Sequence, residues 1–154
     1  MDALGGIEFV DYDRQFLNSS FRWLSDAEIK HLIASSDINR EEQEKWFMNL
    51  FNRKDYYIRG IQYNGIPIGA VGIKKIFNDS GEYWGYIGEK EYWGKGIGKL
   101  MLMQMVKDAR TIFSLKNLYL KVLHVNERAI GLYKSLGFTI VSDDGSFYIM
   151  SLTL

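Results

Sequence analysis

Apolar residues along this chain switch between two periods, and the switches mark its elements. Ile7 to Tyr12 is a short strand candidate. Asp13 to about Ser35 is spaced as helix, in two pieces. Ser25 can cap the second piece, with Glu28 three residues on. Asn39 opens a further helix running to about Phe51, with Glu41 and Glu42 in its first turn and Gln43, Trp46, Phe47 and Leu50 at helical spacing. Three strands follow. They run from Tyr56 to Tyr63, from Ile66 to Ile76 and from Glu82 to Gly88, with turn signals at Asn64-Gly65 and at 78–81. Pro67 argues that its strand begins at a turn or an edge.

A helix is predicted from about Gly96 to Phe113. Leu102, Met105, Val106, Ala109 and Phe113 fall on one face, with Met101 and Ile112 beside them, and Lys99, Lys107 and Arg110 lie opposite. Leu118 to Leu123 reads as a buried strand. Asn126 caps a helix through Leu136 that Gly137 stops. Strands at 138–141 and 147–154 complete the order β-αα-βββ-α-β-α-ββ. A meander followed by βαβ units makes an α/β fold with a mixed sheet and helices on its faces. The strand at 82–88, the helix after it and the strand at 118–123 are expected to form a right-handed crossover.

The junction at 86–100 carries chemistry. An aromatic strand runs into Gly94-Lys95-Gly96-Ile97-Gly98 and then directly into a helix. Glycine lets backbone N–H groups approach a ligand closely, and the helix start adds unpaired donors and a positive dipole end. Together they suit phosphate oxygens. A Walker A loop does not fit, because its spacing and its Ser or Thr are missing. A dinucleotide fingerprint fails because Lys99 stands where the third Gly belongs.

Composition narrows the classes. The chain has 154 residues, enough for one domain with a real core, and one proline. Lys plus Arg and Asp plus Glu both number 19, so the net charge is zero, which argues against broad nucleic-acid binding. There is no cysteine, which excludes disulfides, thiolate catalysis and cysteine-based zinc sites. The two histidines, His31 and His124, lack metal-ligand spacing, so no metal is expected. No apolar run has bilayer length, and the N-terminal residues lack the pattern of a secretory signal. The chain therefore reads as cytoplasmic, without membrane or nucleic-acid partners. A homodimer is one assembly open to test.

Trp93-Gly-Lys-Gly-Ile-Gly-Lys-Leu100, followed by Asn126-Glu-Arg-Ala-Ile-Gly-Leu-Tyr-Lys-Ser-Leu-Gly-Phe138, resembles the two motifs of the GNAT acetyltransferases. The resemblance covers nearly the whole chain. Residues 16–26, 42–47 and 82–93 are further similar to acetyltransferases of amino-sugar nucleotides, nearest those of the pseudaminic acid route. These acetylate the 4-amino group of a UDP-linked 4-amino-4,6-dideoxy sugar. The resemblance implies a GNAT acyl-CoA N-acyltransferase fold over 1–154, its sheet splayed between the fourth and fifth strands. It implies acetyl-CoA as co-substrate and a small-molecule amine, a nucleotide amino sugar, as acceptor. Trp93, Gly94, Lys95, Gly96, Ile97, Gly98 and Lys99 would hold the coenzyme diphosphate, with Lys95, Lys99 and Arg128 as charge partners. Backbone near Ile87 and Gly88 would donate to the thioester oxygen, and Asn126 would serve both coenzyme and catalysis. Tyr133 matches the family tyrosine that protonates the leaving thiolate; a phenol, with a pKa of ~10, is protonated at neutral pH. Trp23, Trp46, Tyr83, Trp84 and Glu89 are candidate acceptor-binding residues, with Tyr92 and Trp93 offering further aromatic surface.

Two positions depart from the family pattern. Trp93 stands where many relatives carry Arg or Gln. Lys121 stands where some peptide-acetylating relatives carry a Glu base. The base is thus open among His124, Glu89 and Glu82. A missing strong base favours a weakly basic amine, such as a sugar amine flanked by oxygens, over a lysine-like amine with a pKa of ~10.4. An N-terminal or ribosomal-protein acetyltransferase, a polyamine acetyltransferase and a non-catalytic acyl-CoA sensor are the competing readings.

Overall fold

The computed structural model describes residues 3–32 and 39–154. The end of the first expected helical stretch, towards Ser35, lies outside those residues. Strand β1 (Ile7–Asp11) is followed by helices α1 (Arg14–Trp23), α2 (Ala27–Leu32) and α3 (Arg40–Asn49). Asp13 starts α1 by accepting from the amides of Gln15 at 3.0 Å and Phe16 at 3.3 Å. Asn39 does the same for α3 through Glu42 N at 3.1 Å. The cap of α2 is Asp26 rather than Ser25. The Ser25 hydroxyl turns back to the Phe21 carbonyl at 2.6 Å, and Asp26 accepts from Glu28 N and Ile29 N.

The meander is β2 (Tyr57–Tyr63), β3 (Ile66–Phe77) and β4 (Ser80–Ile87). Helix α4 (Ile97–Thr111), strand β5 (Asn117–Leu123), helix α5 (Glu127–Ser135) and strands β6 (Thr139–Asp143) and β7 (Phe147–Thr153) complete the chain. Asn126 caps α5, accepting from Ala129 N, and Gly137 ends it at φ 99°. On α4 the buried stripe is Ile97, Met101, Leu102, Met105, Asp108 and Ala109. Ile112, expected beside that face, is exposed. Asp108 is buried because its carboxylate is satisfied, accepting from Tyr57 OH at 2.8 Å and Gln104 Nε2 at 2.9 Å.

The seven strands form one sheet in the order β1-β2-β3-β4-β5-β7-β6. Every neighbouring pair is antiparallel except β4 and β5, which run parallel. That parallel pairing holds only at Ser80↔Asn117, Gly81↔Leu118 and Glu82↔Tyr119. From Tyr83 onward the strands part. Two apolar clusters cover the sheet. One gathers α4, α5 and residues such as Val71, Tyr83 and Leu120. The other gathers α1 and α3 over Ala70, Trp84 and Tyr86. Tyr83 and Trp84 are adjacent on one strand, so the clusters lie on opposite faces.

Gly60 on β2 meets the buried ring of Phe16, which stands where a Cβ would go. Gly60→Ala is expected to cost ~1–3 kcal/mol through overpacking. In thermal denaturation the midpoint should fall by at least ~2 °C; an unchanged midpoint would show that the α1 contact with the sheet is looser than described.

Candidate active site

Where β4 and β5 separate, a cavity of about 840 Å³ opens. Tyr83, Gly85 and Ile87 line it, and so do Trp84 and Tyr86. Alternate residues of a strand face opposite sides of a sheet, so this cavity passes between the strands and reaches both faces. On one face it meets Met101, Leu132 and Tyr133 of α4 and α5. On the other it meets Ile29 and Leu32 of α2 with Lys74, Lys75, Glu82 and Lys121.

The edge of β4 along this opening is set by register. Gly88 N donates to Ile68 O at 2.7 Å, which makes Ile68 and Gly88 a bonded pair of the antiparallel β3–β4 ladder. Bonded pairs alternate with unbonded ones. Trp84 and Tyr86 therefore bond β3, whereas the odd residues turn away from it: Tyr83 N–H closes the last parallel pairing with β5, and the Tyr83 carbonyl, both backbone groups of Gly85 and the Ile87 N–H face the gap. A row of free edge amides suits an extended ligand that carries amides of its own. Gly88, expected to donate to a thioester oxygen, has its N–H engaged by Ile68 and does not line the cavity.

Residues 88–96 close one end of the gap. Gly94 and Gly96 adopt φ of 75° and 85°, the left-handed region that glycine enters without strain. Gly96 is the N-cap of α4 and offers no side-chain cap, so the first amides of that helix keep their donors for a ligand. Gly94, Gly96, Ile97, Gly98, Lys99 and Arg128 line the cavity here. The Arg128 guanidinium lies 3.6 Å from where a Gly94 Cβ would stand. Lys95 is exposed and outside the lining. Trp93 lines the cavity, and its Nε1 donates to Ile87 O at 2.9 Å. Its indole ties the glycine loop to the end of β4, which explains a Trp where a diphosphate-binding side chain was expected.

Tyr133 and Asn126 both line the cavity. The Tyr133 ring meets Tyr83 at 6.3 Å and Phe138 at 6.0 Å. Burial pushes its phenol up to about 12. Across the gap Glu82 is only 4% exposed. Lys74 Nζ and Lys75 Nζ each stand 3.5 Å from its carboxylate, and Oε1 accepts no hydrogen bond.

Several expected site residues stand elsewhere. His124 shares a 2.8 Å hydrogen bond with Asp143 and stacks on Tyr148 at 4.0 Å, outside the cavity. Trp23 is buried, and its Nε1 donates to Glu89 at 2.9 Å. Glu89 also pairs with Arg22, whose hydrogen bond holds its carboxyl below the usual range. Trp46 packs on Tyr12 and Tyr56. None of Trp23, Trp46 and Glu89 lines the cavity, so among the expected acceptor residues it brings together Tyr83 and Trp84. Lys74 and Lys75 escaped the sequence reading. Their signal was two consecutive lysines that interrupt an otherwise apolar strand. Among the described residues no group of His, Asp and Glu is arranged to hold a metal ion. No helix there is long and apolar enough to cross a membrane.

A family model described as "Acetyltransferase (GNAT) family" matches residues 17–138. The acetyltransferase PseH of Campylobacter jejuni is 25% identical over 146 residues, covering 94% of this chain and 90% of that one. Its crystal structure with acetyl coenzyme A superimposes with a TM-score of 0.75 at 21% identity, covering 96% of this chain and 98% of that one. The uncharacterized protein MJ1062 of Methanocaldococcus jannaschii is 33% identical over 107 residues, 69% of this chain. The match spans only 22% of that protein's length. A spermidine N-acetyltransferase from Vibrio cholerae, solved with CoA and spermine, shares the fold with a TM-score of 0.86 at 18% identity, covering 97% of this chain and 96% of that one.

The left-handed cap gives a direct test. Gly96→Ala forces a side chain into that conformation, at ~1–2 kcal/mol. Coenzyme A binding measured by calorimetry should weaken ~5- to 30-fold; undiminished affinity would place the diphosphate away from this loop.

Proposed function

The chain belongs to the acetyltransferase (GNAT) family, and we propose that its acceptor is the primary amine of a nucleotide-linked amino sugar, first of all the 4-amino group of a UDP-linked 4-amino-4,6-dideoxy sugar. The observation that carries this reading is the charge of the cavity on the α2 face. Among the described residues, Lys74, Lys75 and Lys121 stand there against a single carboxylate, Glu82. An anionic acceptor is drawn to such a mouth and a polycation is repelled. The near full-length likeness to PseH supports the same reading. A polyamine acceptor is the second reading, favoured by the likeness to the spermidine acetyltransferase. The lysines weigh against it.

Acetyl-CoA supplies the acetyl group as a thioester. The glycine loop, the first amides of α4 and the Lys99 and Arg128 charges suit its diphosphate. The free edge of β4 suits the pantetheine arm. An arm whose diphosphate sits at 94–99 points its thioester away from Ile87, toward Gly85 and Tyr83. The Gly85 amide then donates to the carbonyl oxygen as it gains charge. Tyr133 stands beside Tyr83, which fits it to the sulfur.

The acceptor enters from the α2 face. Its nitrogen lone pair attacks the carbonyl carbon, forming the C–N bond, and the C–S bond breaks. Glu82 takes the proton from nitrogen, and Tyr133 gives its proton to sulfur. Holding both partners in line across the gap lowers the barrier by orientation. Glu82 takes precedence over His124 and Glu89 as base because it alone of the three lines the cavity.

Offered acetyl-CoA with UDP-amino sugars, polyamines and short peptides, the protein should acetylate the amino sugar, read by mass spectrometry. Turnover of spermidine alone would transfer the assignment to the polyamine reading. Tyr133→Phe should lower kcat ~10²–10³-fold, as for loss of a general acid, with little change in KM. An acid must be protonated to act, and this phenol titrates near 12. The rate should therefore show no Tyr133-dependent decline between pH 7 and 10; a basic limb near 9 that vanishes in Tyr133→Phe would contradict the role.

A further inference from the structure

Lys74 and Lys75 are neighbours in β3, yet both ammonium groups reach the carboxylate of Glu82. In a regular strand consecutive side chains point to opposite faces. Here the register shifts between Lys74 and Phe77, and Lys75 takes φ 53°, the left-handed region that a lysine adopts only under strain. Bulges of this kind re-aim side chains, often beside active sites. This one brings two cations to one buried anion.

The resulting cluster is poorly matched. A close charge-assisted contact is ~2.7–2.9 Å, whereas both lysines stand at 3.5 Å. Glu82 Oε1 is buried without a hydrogen bond. The lysine side chains are 38% and 59% exposed, so both are free to swing toward the mouth. Glu82 is not, being fixed on β4 at the last paired register, Glu82↔Tyr119. Lys121 shares that face, two residues beyond Tyr119 on β5.

We infer that Lys74 and Lys75 form an exchangeable anion clamp: they neutralise Glu82 in the free protein and pass to the diphosphate of the acceptor when it binds. A diphosphate offers more charge and more acceptor oxygens than one carboxylate. Its arrival draws the two ammonium groups away from Glu82 and leaves its carboxylate oxygens open to the acceptor nitrogen. The base is thus released by the phosphate of the substrate it serves. An amine lacking phosphate would find Glu82 still covered. The inference rests on acetyl transfer at this cavity, with the acceptor bound on the α2 face.

Calorimetry with UDP in saturating coenzyme A, which fills the glycine loop, tests the clamp without turnover. The wild type should bind UDP, and the double variant Lys74→Met, Lys75→Met should bind it at least tenfold more weakly. Lys74→Arg with Lys75→Arg should recover most of the affinity and so control for folding at the bulge. Glu82→Gln removes the competing carboxylate and should bind UDP several-fold more tightly. No UDP binding by the wild type, equal binding by the Met variant, or unchanged or weaker binding by Glu82→Gln would overturn the clamp. If UDP binding follows the lysines while UDP-amino sugars are not acetylated, the acceptor assignment fails and the clamp stands. If the sugars are acetylated but UDP binding ignores the lysines, the clamp alone fails.

Discussion

The site depends on an interruption of hydrogen bonding in the middle of a sheet. β4 and β5 pair through three residues and then diverge. Both strands are held on their outer sides, β4 by β3 and β5 by β7 along the whole of 117–123. They cannot follow each other once apart. The separation leaves the Tyr83 carbonyl, both backbone groups of Gly85 and the Ile87 N–H facing a cavity instead of a strand. Such groups are costly to leave unmatched in a protein interior. A ligand that is itself a chain of amides would restore what the sheet gave up, and on the proposed function its thioester would meet the acceptor at the second opening of the same gap.

Much of what surrounds the gap is architecture. Trp93 holds the glycine loop to the last carbonyl of β4. Glu89 ties the turn after β4 to Arg22 and Trp23 of α1. Lys90 reaches Asp26 at 2.8 Å and Glu28 at 2.9 Å, linking the same turn to α2. These contacts set the distance between the loop that suits a diphosphate and the wall that faces an acceptor. A carboxylate already committed to an arginine and an indole is a poor base, which is why Glu89 belongs to the frame. Glu82 has no such commitment: its cations stand off at 3.5 Å and its Oε1 is unmatched.

The order of elements was legible in the sequence because each follows from local rules. Asn39 and Asn126 cap the helices they precede, Gly137 stops α5, and Asn64-Gly65 turns β2 into β3. The glycine loop was legible for the same reason, since left-handed backbone at 94 and 96 needs glycine. What was not legible depends on contacts distant in sequence. His124 looked directed at the gap from its strand position, but Asp143, on β6, holds it outside. Trp23 and Trp46 looked like a substrate surface and are packing. The clamp lysines were hidden because a regular strand would send one of them to the other face, and only the bulge at Lys75 brings both to Glu82. Gly88 looked like an oxyanion donor until the ladder register assigned its N–H to Ile68.

Backbone amide exchange, followed by NMR on addition of acetyl-CoA, addresses the parted edge most directly. Amides of Trp84 and Tyr86, which face β3, should be protected throughout. That of Tyr83, which closes the pairing with β5, should be protected too, whereas those of Gly85 and Ile87 should exchange quickly in the free protein and become protected when acetyl-CoA is bound. Binding of acetyl-CoA with no change at those two amides would contradict the account at its base.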